Sequence, residues 1–117
     1  MAQRVLIVED ELLLAMQMAD LLRDMAYEPV GPFARVVTAI PVAIRAPLDA
    51  ALLDFGLRDE TVEPLAGILQ RRGIPFAMVT AHSRDLLPAG LRGHPYLSKP
   101  FADEDVAGLL ARILGHA

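Results

Sequence analysis

Short apolar runs alternate along this chain with longer stretches whose apolar residues recur at helical spacing. "RVLIV" (4–8) is continuous and rich in β-branched residues, as in a strand covered on both faces. "ELLLAMQMADLLRDMA" (11–26) consists of good helix formers, with Leu14, Met18, Leu22 and Met25 on one stripe. "EPVGPF" (28–33) is a short extended piece bounded by prolines. "ARVVTAIPVAIRA" (34–46) has helical spacing but contains Pro41, so the pattern predicts a kinked or broken second helix.

"DAALL" (49–53) predicts a third buried strand, ending at Asp54. "TVEPLAGILQRRG" (61–73) predicts a helix with Thr61 as its cap and Gly73 as its stop. "IPFAMV" (74–79) is a strand ending at Thr80. In "SRDLLPAGLRG" (83–93), Pro88, Gly90 and Gly93 leave room for short helical turns only. "PYLS" (95–98) is extended, and "DEDVAGLLARIL" (103–114) sets Val106, Leu109, Leu110 and Ile113 on one face with its acids in the first turn.

Strand–helix alternation with short connections means a parallel sheet covered by helices on both faces. Five strands in this length fit a doubly wound α/β, flavodoxin-like sheet of order 2-1-3-4-5, with a short or irregular fourth helix. Residues 1–117 read as a single domain, without internal repeat or linker.

Composition narrows the function classes. The chain is 54% hydrophobic with a net charge of -4 and dispersed charges, which argues against a nucleic-acid binder with a basic face. There is no cysteine, so disulfides and thiolate metal sites are excluded. No secretory pattern opens the chain and no apolar run reaches the roughly 20 residues of a membrane span. A cytoplasmic domain with no membrane partner is expected.

The chemistry is concentrated where the strands end. Ligands of open parallel sheets bind outside the carboxyl ends, at the switch in strand order. There the first strand delivers Glu9 and Asp10, the third Asp54, the fourth Thr80 and the fifth Lys99. Two carboxylates about 4 Å apart repel by roughly 4 kcal/mol at an effective dielectric near 20. A cation holding such a cluster together explains "VEDE" (8–11), and oxygen-only ligands suit Mg2+, or Mn2+ in its place. Glu11 is expected to start the helix and point outward.

The set "VLIVEDE", "ALLDFGL", "MVTAHS" and "YLSKPF", in this order and over essentially the whole chain, resembles the receiver domain of two-component response regulators. The resemblance implies that Asp54 accepts a phosphoryl group from a histidine kinase. It implies that Glu9, Asp10, Asp54 and the Gly56 backbone carbonyl bind Mg2+, and that Lys99 pairs with the phosphoryl group. Thr80 would be the switch hydroxyl, Ala81 its small neighbour and Tyr96 the switch aromatic. Gly56 and His82 occupy positions that tune phosphoryl lifetime, and glycine shields little from water. Lys99–Pro100 would be cis.

Between Thr80 and Lys99 the chain is a few residues shorter than an ordinary receiver. With "PFAMVTA" (75–81) in place of "PFxFATG", it resembles single-domain receivers found mainly in alphaproteobacteria, which implies an HWE-type or related kinase as partner. Starting at its own methionine and stopping after the last helix, the chain is expected to act by docking on a protein, or as a phosphoryl relay or sink. It would catalyse only its own phosphorylation and dephosphorylation. The alternative is a phosphorylation-independent interaction module. A phosphohydrolase would need a substrate pocket and a general acid that the sequence does not offer. His82, His94 and His116 share no spacing and are expected at the surface.

Overall fold

A computed structural model of the chain describes residues 2–57 and 60–116, so Met1 and Ala117 at the ends of the expected domain lie outside the described residues. Five strands, β1 (Arg4–Val8), β2 (Glu28–Phe33), β3 (Ala50–Asp54), β4 (Phe76–Thr80) and β5 (Tyr96–Ser98), form one sheet of order β2-β1-β3-β4-β5. All four pairings are parallel. The helices are α1 (Leu12–Asp24), α2 (Val36–Arg45), α3 (Glu63–Arg71) and α4 (Asp103–Ile113).

Period-two alternation of the buried strands divides the core between the two faces. Leu6, Val8, Ala51, Leu53, Phe76 and Met78 pack with residues of α2 and α3. Val5, Ile7, Ala50, Leu52, Ala77 and Val79 pack with Met18 and Leu22 of α1 and Val106, Leu109 and Leu110 of α4. Both faces of β1, β3 and β4 are covered, which is why these strands read as continuous apolar runs.

Several expectations change in detail. α2 is one continuous helix, not two, although Pro41 sits inside it and cannot donate to the Val37 carbonyl. Its buried residues Val36, Ala39 and Ala43 hold it against the sheet, and the exposed Pro41 ring disturbs only the outer face. α3 starts two residues after Thr61, with Val62 as its N-cap residue, because Val62 is fully buried and fixes the chain's entry into the core. The Thr61 hydroxyl still accepts from the Glu63 amide at 3.3 Å. Gly73 stops α3 as expected, with φ +71.

The segment 83–93 forms two 3-10 turns, Arg84–Leu86 and Ala89–Leu91, separated by Pro88. Arg92 ties them together, donating through Nε to the Leu87 carbonyl at 2.8 Å and through Nη2 to the Asp85 carbonyl at 3.2 Å. Lys99–Pro100 is cis, and so is Gly31–Pro32.

Candidate functional site at the carboxyl edge of the sheet

Strand register brings the candidate residues to one level. Val8 lies opposite Leu53, so Glu9 comes level with Asp54; Asp54 lies opposite Val79 and Thr80 opposite Ser98, with Lys99 next. The short connections after these strands then hold polar side chains beside one another at the end of an otherwise apolar sheet.

Glu9, Asp54 and Thr80 are buried polar residues at this edge, only 2%, 3% and 0% exposed. A carboxylate oxygen each from Glu9, Asp10 and Asp54 lies within 4.8 Å of the others. Lys99 Nζ stands 2.9 Å from Glu9 Oε1 and 3.5 Å from Asp54 Oδ1. The Gly56 amide donates to Asp54 Oδ1 at 2.9 Å, and the Glu11 amide donates to Glu9 Oε2 at 3.2 Å. Glu11 itself is exposed at the start of α1, as expected.

Glu9 Oε1 is buried without a hydrogen bond of good geometry, so the nearby ammonium compensates it by charge rather than by a directed bond. Burial pushes the Glu9 carboxyl up from its ordinary 4.5 to about 7; the Lys99 ammonium pulls it down, and Asp54 adds to the rise. Burial alone would lower the Lys99 ammonium, but its close contact with Glu9 and the charges of Asp54 and Glu9 outweigh that and hold it above its ordinary 10.5. An under-satisfied carboxylate oxygen beside two further acids fits a hard divalent cation bound through oxygen.

Thr80 Oγ1 accepts from the His82 amide at 2.9 Å. The Tyr96 hydroxyl donates to the His82 carbonyl at 2.7 Å, so the two expected switch residues hold the same loop. The Arg84 guanidinium lies 5.1 Å from the centre of the Tyr96 ring, and the His82 ring stands edge-on to Phe55, 6.5 Å between centroids. His82 and His116 are exposed as expected. His94 is instead half-buried, stacked on Phe76 at 4.2 Å and hydrogen-bonded to Gln70 at 2.8 Å.

A parallel doubly wound sheet with clustered acids and a lysine at its switch point is the arrangement expected of a receiver domain. No protein-family model matches the chain. It is 34% identical over 110 residues, 89% of its length, to the transcriptional regulatory protein PdtaR of Mycobacterium tuberculosis. The chain spans about half the length of that relative, 53%.

The solution structure of SdrG from Sphingomonas melonis Fr1 superposes with TM-score 0.84 at 39% identity, covering 97% of each chain. SdrG has also been solved in a BeF3-activated conformation, which superposes with TM-score 0.81. The receiver domain of the sensor histidine kinase PA1611 from Pseudomonas aeruginosa PAO1, solved with a magnesium ion in its active-site cleft, superposes with TM-score 0.84 at 25% identity over 98% of this chain and 99% of that one. The chain belongs to the receiver-domain family of two-component response regulators.

Proposed function

We propose that this domain is a Mg2+-dependent phosphorylation switch with Asp54 as its phosphoacceptor. The observation that carries the reading is a buried Asp54 flanked by a lysine ammonium at 3.5 Å and by two further carboxylates, each with an oxygen within 4.8 Å of one of its own. The magnesium of the PA1611 receiver and the BeF3-activated SdrG support it by similarity.

Glu9, Asp10, Asp54 and the Gly56 carbonyl would hold the ion. Bound there, Mg2+ supplies positive charge to the phosphoryl oxygens, which otherwise repel an attacking carboxylate. The Gly56 amide fixes one Asp54 oxygen, leaving the other to attack the phosphorus of a kinase phosphohistidine. The new O–P bond forms as the P–N bond breaks, and its electron pair returns to the imidazole. Lys99, already charged at this edge, neutralises the phosphoryl oxygens from the other side. The Thr80 hydroxyl exchanges its contact with the His82 amide for a phosphoryl oxygen, and Tyr96, bonded to the same residue, follows. Water attack on phosphorus later breaks the acyl O–P bond, releasing phosphate and restoring the Asp54 carboxylate.

The donor is a histidine kinase, HWE-type by the fourth-strand motif, and output runs through a protein partner or a phosphotransfer protein in the cytoplasm. Intact mass after incubation with Mg2+ and acetyl phosphate tests the reading. One phosphoryl group is gained by the wild type and none by Asp54→Asn or by the wild type with chelator. Equal labelling of wild type and variant would remove Asp54 from the role, and failure to bind BeF3 as well would favour a phosphorylation-independent module.

A further inference from the structure

α2 begins without a cap of its own. Its N-cap residue is Arg35, extended at φ -133 and ψ 145, with no side-chain bond to the helix, and its first turn contains no acid. The four leading amides of a helix lack intrahelical partners, and a carboxylate is the group best suited to them. α2 takes one from another element. Glu60 reaches across from the loop joining β3 to α3, and its Oε1 accepts from the Val36 amide at 3.1 Å. The same oxygen lies 3.5 Å from Arg35 Nε, and the Glu60 side chain is only 17% exposed.

The loop that carries Glu60 starts at the site. Phe55 follows Asp54 and is tied to β4 by its amide bond to the Val79 carbonyl at 3.0 Å. Gly56 comes next, with its amide on Asp54 Oδ1. Leu57 and Val62 are buried, so the backbone on both sides of Glu60 is anchored in the core. A charged tether to α2 therefore fixes Glu60, four residues beyond the Gly56 amide that contacts Asp54.

We infer that Glu60 is a positioning residue: its cross-loop cap on the Val36 amide of α2 holds the segment after Asp54 in the conformation that presents Gly56 to the cation. This deepens the reading of the edge as a cation and phosphoryl site and rests on it.

Amide NMR of metal-free protein and a Mg2+ titration by calorimetry test the inference on Glu60→Ala, Glu60→Gln and Arg35→Ala. In Glu60→Ala the Val36 amide loses protection, the Gly56 amide resonance moves, and the Mg2+ Kd rises about threefold to tenfold, below or at the low end for residues that orient metal ligands. Glu60→Gln keeps an acceptor oxygen and recovers most of both effects, whereas Arg35→Ala changes little. If Val36 responds to Glu60→Ala but Gly56 and the Mg2+ affinity do not, Glu60 caps a helix and nothing more, and the inference is overturned. It is overturned equally if Gln behaves like Ala. Should Glu60→Ala not fold, Glu60→Met, similar in length but without an acceptor oxygen, takes its place: shifts of both Val36 and Gly56 support the tether, and a shift of Val36 with Gly56 unmoved overturns it. A wild type that binds no Mg2+ would sink the cation reading of the site, and the Gly56 amide would still decide the tether.

Discussion

Glu9 shows how burial shapes this site at the scale of one residue. It is 2% exposed, its carboxyl is pushed up to about 7 chiefly by burial, and Lys99 offsets only part of that. Between pH 4.5 and about 7 the folded protein therefore binds more protons than the unfolded chain. Stability of the metal-free protein falls as pH rises through that window, and the penalty is fully present above it. Glu9→Gln removes the penalty, so in chelator its urea midpoint exceeds wild type at about pH 8 and not at about pH 5. Mg2+ and a proton compete for the same carboxylate, so Mg2+ affinity weakens below about pH 7, by up to about tenfold per pH unit. A flat affinity between about pH 5 and about pH 8 would mean that Glu9 does not bind the ion.

Individual residues also show what a sequence makes legible. Glu9, Asp10, Asp54, Thr80 and Lys99 each stand where an apolar run stops, and in a parallel sheet that position alone suggests a site. Glu60 carries no such mark. It is an acid in a loop without periodicity, and its partner is a backbone amide 24 residues away. His94 was equally hidden, because its stacking on Phe76 depends on how the turn before β5 folds over β4.

At the scale of elements, strands and their order follow from apolar runs and alternation, and helix boundaries follow less closely. Pro41 illustrates the reason. Local preference opposes a proline at that position, but Val36, Ala39 and Ala43 bury one face of α2, and tertiary packing carries the helix through. The cost is retained on the exposed side. Pro41→Ala is expected to stabilise the protein by about 1–2 kcal/mol, the restored bond outweighing the freedom gained by the unfolded chain. A urea midpoint at or below wild type would show instead that the proline ring packs productively on α2. The segment 83–93 is the opposite case: Pro88, Gly90 and Gly93 made short turns legible, but not the Arg92 guanidinium that joins them.

Across the whole molecule, register is what converts a fold into a site. β1, β3, β4 and β5 are aligned so that their last residues fall within about one residue of the same level, and a slip in any pairing would separate the acids from the lysine. No described helix is long and apolar enough to cross a membrane. The residue proposed to take the phosphoryl group is the buried aspartate at the end of β3, Asp54. An acyl phosphate is reduced by borohydride to the alcohol, with loss of phosphate, and a carboxylate is not, so a phosphorylated aspartate is left as homoserine and a phosphorylated glutamate as 5-hydroxynorvaline. Peptide mass mapping after Mg2+, acetyl phosphate and borohydride treatment is predicted to find homoserine in place of Asp54 and at no other acid. Homoserine at Asp10 or another aspartate, or 5-hydroxynorvaline at Glu9 or another glutamate, with Asp54 intact, would take the phosphoacceptor role away from Asp54.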